Sequence, residues 1–397
     1  MNKASITDYK YLEGLRVLLR DDLNVPINKN GEITDDKKII EALPTIQYLI
    51  DKGAKVIIVS HLGRPKGKHL PEYSLAPVVE RLKQLLDKPI MFEELFTDHM
   101  QKMVRTMKKG DVMVLENIRY YPEEEANDEE FSKKLAKIAD IYCNDAFGTA
   151  HRAHASTAGV TKYIPSYCGL LMAKEVEVFS QIMEQPERPF VVVLGGAKVS
   201  DKIKLISNLI DKVDGIVIGG AMAYTFLAAQ GLPVGESKVD VAKIEYAKLL
   251  LEKASNRKVQ IYLPVDHLVA EEFSFLADYD VCTSDNFPEK GIGMDIGPKT
   301  IKLFTKVIKS AKTVYWNGPM GVFEYKRFSK GTRAVAKAMA ENSHQMVVGG
   351  GDSASAVRNF GLEQYFYFVS TGGGASLALL EGSKLPGLEN LKERESK

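Results

Sequence analysis

The sequence has little cysteine: three residues in 397. Cys143, Cys168 and Cys282 lie too far apart for any CxxC ligand pair, and their odd number and irregular spacing point to free thiols in a reducing compartment, not to a disulfide framework or zinc site. It also lacks a charge excess, with Lys plus Arg at 53, Asp plus Glu at 52 and a net charge of +1. Dedicated nucleic-acid and membrane-surface proteins need a strong basic excess; a local basic site for a small anion remains open. No stretch approaches the ~20 continuous apolar residues of a membrane span, and Met1-Asn2-Lys3-Ala4-Ser5-Ile6-Thr7-Asp8 carries no apolar run of signal-peptide length. The expectation is a cytoplasmic protein with no membrane or nucleic-acid partner. Several nucleotide and catalytic motifs are missing as well. Gly67-Lys68 is followed by His69, so there is no P-loop, and Gly291-Ile292-Gly293-Met294-Asp295-Ile296-Gly297 has the wrong final spacing for GxGxxG. HExxH and the kinase HRD are absent.

What is present is ordinary globular material, 45% apolar and 26% charged, enough for more than one core and too apolar for a disordered chain. The length is a prior for two or three domains. Short β-branched runs alternate with helical periodicity throughout. Leu15 to Arg20, Val56 to Ser60, Val112 to Leu115 and Ile141 to Asn144 read as strands in the first half. Phe190 to Leu194, Gly215 to Ile218, Val259 to Leu263, Thr313 to Trp316, Gln345 to Val348 and Tyr365 to Val369 read as strands in the second. Between them, Ile39, Leu43, Ile46 and Ile50 mark one helix face, and Ser74 is the expected N-cap of a helix carrying Leu75, Val78, Val79, Leu82 and Leu86 inward. The pattern predicts an α/β fold with parallel sheets buried on both faces. The expected boundaries are an N-terminal domain over 1–168, a hinge helix over 169–186 and a C-terminal domain over 187–384.

Ligands of parallel α/β sheets bind beyond the carboxyl ends of the strands, and there the two halves differ. The first half places Arg20-Asp21-Asp22-Leu23-Asn24, His61-Leu62-Gly63-Arg64, Glu116-Asn117-Ile118-Arg119 and Asn144-Asp145 at strand ends, with His151, Arg152 and His154 close behind. Guanidinium and imidazole groups at convergent ends suit a small, multiply anionic molecule. The second half places glycine there: Gly195-Gly196, Gly219-Gly220, Asn317-Gly318-Pro319, Gly349-Gly350-Gly351-Asp352-Ser353 and Thr371-Gly372-Gly373-Gly374. Bare amides at helix starts form a polyphosphate cradle. One glycine turn at a strand end is usually only a turn; five in one half are harder to dismiss. Glu123-Glu124-Glu125 reads as a solvated face, and Tyr224 and Phe226 as core. Together the two linings describe a phosphotransferase.

Longer runs carry a resemblance. Val17-Leu18-Leu19-Arg20-Asp21-Asp22-Leu23-Asn24-Val25-Pro26, Ser60-His61-Leu62-Gly63-Arg64-Pro65, Asn144-Asp145-Ala146-Phe147-Gly148-Thr149, Leu194-Gly195-Gly196-Ala197-Lys198-Val199-Ser200-Asp201-Lys202, Trp316-Asn317-Gly318-Pro319 and Gly349-Gly350-Gly351-Asp352-Ser353 closely resemble the phosphoglycerate kinase family. The resemblance implies phosphoryl exchange between 1,3-bisphosphoglycerate and ADP, giving 3-phosphoglycerate and ATP, by a monomer of two Rossmann-like three-layer domains with mostly parallel sheets and a cleft between them, whose tail, 385–397, returns to the first domain. It implies that Asp22, Leu23, Asn24, Lys38, His61, Leu62, Gly63, Arg64, Arg119 and Arg152 hold 3-phosphoglycerate. Lys198, Lys202, Gly293, Asn317, Glu324, Gly350, Gly351, Asp352 and Ser353 would hold the nucleotide, with Asp352 on Mg²⁺. Lys38, Lys198, Gly350 and Gly373 would act at the transferring phosphoryl group.

One position departs from the family, which carries arginine at Lys38; lysine keeps the charge but loses the planar fork. The expectation is slower turnover with smaller changes in binding. The smaller change at Leu23, where phenylalanine is usual, reads as a packing adjustment. Three readings compete: an inactive relative that binds nucleotide or phosphoglycerate, a two-domain anion-clamping protein, and a nicotinamide-dependent dehydrogenase.

Overall fold

A computed structural model describes residues 2–394. The chain divides into two compact units, one holding the chain up to Val178 together with the stretch from Lys384 onward, the other Phe179–Ser383. The last three residues of the expected returning tail, 395–397, lie outside the described residues.

The first unit is built on six parallel strands: β1 (Arg16–Arg20), β2 (Lys55–Val59), β3 (Met91–Glu93), β4 (Val112–Leu115), β5 (Ile141–Asn144) and β6 (Ser166–Cys168), in the order β3-β4-β2-β1-β5-β6. The second has β7 (Phe190–Leu194), β8 (Gly215–Ile218), β9 (Gln260–Tyr262), β13 (Thr313–Asn317), β14 (Gln345–Gly349) and β15 (Phe368–Val369), in the order β15-β14-β13-β7-β8-β9 and again parallel. A three-stranded antiparallel sheet of β10 (Asp266–Ala270), β11 (Asp280–Thr283) and β12 (Ile292–Ile296) sits beside it in sequence. The central strands are buried on both faces, which is why Val191-Val192-Val193-Leu194 needs no polar alternation. Each sheet has one point where the strand order reverses, between β1 and β5 and between β13 and β7. Those reversals open a crevice at the carboxyl ends.

The strands read from sequence are present, with ends differing by a residue or two except at Tyr365 to Val369. There a 3₁₀ turn takes Glu363–Tyr365 and leaves a strand of Phe368–Val369. The expected helix cap at Ser74 moves: the helix is Ala76–Leu86 with Leu75 in the cap position, although Ser74 Oγ still accepts from the Ala76 amide at 3.2 Å. In the helix Lys37–Asp51 the buried face is Ile39, Ala42, Thr45, Ile46 and Leu49, so Leu43 and Ile50 flank the core instead of facing it. The helix Leu170–Glu184 contains the division between the units.

From Lys384 the chain packs on the first unit. Lys392 accepts from the Ala4 amide at 2.8 Å and donates to Ser166 O at 2.8 Å, and Gly387 donates to Ala150 O at 2.8 Å. Leu385, Leu388 and Leu391 are buried there.

Candidate functional site

Register brings the charged strand ends of the first unit together. Arg20 pairs with Val59 on one side and Asn144 on the other, so the residues that follow all emerge at one end of the sheet. Arg20 is fully buried. Its Nε donates to Ser156 Oγ at 2.8 Å, its Nη1 to Asp21 O, and its Nη2 to His61 Nδ1 at 3.2 Å. Burial pushes the His61 imidazole well below its ordinary pKa; Asp22 opposes this, and Arg20, Arg119 and Lys38 add to it. Asp22 goes the other way. Burial would raise it, but the Lys38 ammonium, 2.8 Å from Oδ2, together with Arg20, outweighs that and holds it at about 2.

Arg119 is 2% exposed, and only Nη1 has a hydrogen-bond partner, Gly63 O at 2.9 Å. Its Nε and Nη2 are buried without one. Leaving such donors unpaired is costly; Nε faces the Glu125 carboxylate at 3.6 Å, and Nη2 is the donor prepared for an anion. Asn24 Oδ1 accepts from the Gly63 amide at 2.9 Å, and Asn117 holds Leu62 through both amide and carbonyl, which together fix the loop. Leu23 and Leu62 are buried in the core, so only their backbones are available to a ligand. Arg152 is half-buried and Arg64 exposed.

The acidic run is a solvated face only in part. Glu124 is fully buried, its carboxylate accepting from Ser156 N at 2.8 Å and Ser156 Oγ at 2.6 Å, and Glu125 lies 3.6 Å from Arg119 Nε. Glu123 and Glu125 are exposed as expected, and Glu124 alone turns inward. Three acidic residues in a row look alike in sequence, and only the fold around the short helix Pro122–Glu125 separates them.

In the second unit Leu194, Asn317 and Gly349 align across β7, β13 and β14. The buried Lys202 Nζ donates to Asn317 O at 2.8 Å and to Asn317 Oδ1, and Gly318 N donates to Ser353 Oγ at 2.6 Å. Burial lowers Lys202 to about 8, against the pull of Asp352 and Asp201. Gly350 caps the helix Gly351–Asn359 with φ +86, and a Cβ there would stand 2.7 Å from Asn317 Nδ2. Only glycine serves that position. Gly373 (φ +49) caps Gly374–Leu380 in the same way. Lys198, Gly351 and Asp352 are exposed.

A cavity of about 410 Å³ in this unit is lined by Gly293, Glu324 and Asp352, and by Gly196, Gly220, Tyr224, Phe273 and Val322. That volume falls in the range of small-ligand sites. Sequence reasoning assigned Tyr224 to the core and did not single out Phe273 or Val322. Tyr224 is indeed buried, with its hydroxyl 3.1 Å from His267 Nδ1, but it also forms wall. Tyr224 lies in the helix Met222–Ala229 and Phe273 in a loop, and neither setting carries a sequence signal for a cavity wall.

Buried guanidinium groups in one α/β unit, one of them with an open donor, and a lysine with glycine-turn amides beside a cavity in the other, have the composition of a phosphotransferase. The phosphoglycerate kinase family profile matches residues 6–383. Phosphoglycerate kinase of Dictyoglomus turgidum is 54% identical over 398 residues, covering 99% of this chain and 100% of the relative. That of Clostridium perfringens is 53% identical, covering 99% of each. The structure of phosphoglycerate kinase from Coxiella burnetii superimposes with a TM-score of 0.90 at 43% identity, covering 98% of each chain. The chain belongs to the phosphoglycerate kinase family.

Proposed function

We propose that the protein catalyses reversible phosphoryl transfer between 1,3-bisphosphoglycerate and ADP, giving 3-phosphoglycerate and ATP, as the glycolytic enzyme does. The observation that carries this reading is the family match, which spans both sets of site residues. Asp22, Asn24, His61, Arg64, Arg119 and Arg152 hold 3-phosphoglycerate, with the backbone of Leu23, Leu62 and Gly63 shaping the pocket. Lys202, Asn317, Gly293, Glu324 and the turn Gly350-Gly351-Asp352-Ser353 hold the nucleotide. Lys38, Lys198, Gly350 and Gly373 face the group in transit.

In the direction of ATP synthesis a β-phosphate oxygen of ADP attacks the acyl phosphorus, the bond from phosphorus to the carboxyl oxygen breaks, and 3-phosphoglycerate leaves as a carboxylate. No proton moves, so no general base is required. What the step requires is alignment and positive charge around a loose anionic transition state. Lys38, Lys198, Lys202, Arg119 and the glycine-turn amides supply it.

Asp352 suits a magnesium ion carried by the nucleotide. Among the described residues no group of three or more His, Cys, Asp or Glu could hold a metal, so the phosphates would provide most of its oxygens, the usual arrangement for this hard cation. Bound there, Mg²⁺ would neutralise developing phosphate charge. Transfer also requires the two ligands in line within about 3–3.5 Å, so the units close when both are bound, and the working protein is a monomer. Small-angle scattering with 3-phosphoglycerate and Mg-ATP, singly and together, tests this alongside a coupled assay. The expected result is turnover, with compaction greatest when both ligands are present. Absence of ATP-dependent conversion of 3-phosphoglycerate would overturn the reading.

A further inference from the structure

We propose that Glu124 is a positioning residue for the phosphoglycerate site, fixing Arg20 through Ser156 and, through Arg20, the tautomer of His61. The inference deepens the proposed function and rests on it for the identity of the substrate.

The direction of every link is forced by chemistry. A carboxylate only accepts, so Ser156 N–H and Oγ–H both donate to Glu124, at 2.8 and 2.6 Å. Having given its proton away, Ser156 Oγ offers lone pairs to Arg20 Nε at 2.8 Å. Arginine only donates, so its Nη2, 3.2 Å from His61 Nδ1, makes that nitrogen the acceptor. The His61 proton is therefore on Nε2. A neutral ring with Nε2–H is a fixed donor for a carboxylate or phosphate oxygen. The relay is dry: Glu124, Ser156 and Arg20 are fully buried and His61 is 4% exposed.

The surroundings leave Glu124 a distinct place. It faces Arg20 and Arg119, and His154 Nδ1 stands 3.8 Å from Oε1. His61 faces Asp22, Arg20, Arg119 and Lys38. Asp22 is engaged by Lys38, while the carboxylate of Glu124 is the one joined to Arg20 by a continuous hydrogen-bonded path. An amide at this position cannot replace it. Glutamine has one accepting oxygen and would turn its NH₂ toward a donor, leaving a buried polar group unpaired.

Imidazole ¹⁵N NMR of the ligand-free full chain tests the first claim, with the His61 signals assigned by loss in His61→Gln. The wild-type ring should show a protonated Nε2 and bare Nδ1, unchanged from about pH 5.5 to 8. In Glu124→Gln, and separately in Ser156→Ala, the Nδ1 and Nε2 signals should shift toward a mixture of the two neutral tautomers. The KM for 3-phosphoglycerate should rise about tenfold while the KM for ATP holds. The double variant should be no worse than either single, since both break one relay. A wild-type Nδ1–H tautomer overturns the proposal outright, whether or not the variants fold. So does a folded variant with an unchanged His61 signal, or one in which both KM values move equally, as a loss of structure alone would produce. The NMR arm needs no substrate; if the protein fails to turn over 3-phosphoglycerate, the proposed function falls while the relay is judged separately.

Discussion

Lys38 donates to Asp22 Oδ2 at 2.8 Å, so its single ammonium is engaged by a carboxylate. An arginine there could keep that contact with one nitrogen and offer a second to the phosphoryl group. Lys38→Arg should raise kcat by about threefold, with either KM changing by less than about twofold; steady-state kinetics giving an unchanged or lower kcat would refute it. Lys202 makes a second prediction, about pH. Its folded-state pKa is lowered to about 8, mainly by burial, so it is charged below that value and loses its charge as pH rises through it. The apparent KM for ATP should climb above about pH 8. Lys202→Arg, charged at every accessible pH, should bind nucleotide without that dependence.

At the scale of elements, local chemistry sets the ends. Asp128 caps the helix Glu129–Lys137 by accepting from the Phe131 amide at 2.8 Å. Asp128→Ala should cost about 1 kcal/mol, read as a lowered urea midpoint, and leave nucleotide affinity unchanged because the helix belongs to the other unit. The long β-branched strands were legible in the sequence because burial on both faces leaves an unbroken apolar signature. Met91–Glu93 and Ser166–Cys168 were not, being three residues each and defined by pairing with β4 and β5. The antiparallel β11 escaped for a related reason: Asp280–Thr283 is exposed or only half-buried and has no long apolar run. Glu124 was misread because an acidic residue announces its charge and not its neighbours.

Across the whole chain, the stretch from Lys384 onward closes back on the first unit, where Asn144 Nδ2 donates to Gly387 O at 3.1 Å beside the segment leading to His151 and Arg152. Truncation after Lys384 strips out Leu385, Leu388 and Leu391, at most 3% exposed. The loss should be on the order of 5 kcal/mol, seen as a lower melting temperature, with the KM for 3-phosphoglycerate raised more than that for ATP. The sequence by itself determined the α/β class, the alternation of strand and helix, and the residue types at the strand ends, because periodicity and turn chemistry are local. Only the tertiary structure decided which of those residues meet. The Arg119–Gly63 contact, the path from Glu124 to His61 and the Lys202–Asn317 contact all join residues at least 32 positions apart somewhere along their length, and no local pattern encodes a partner that far along the chain.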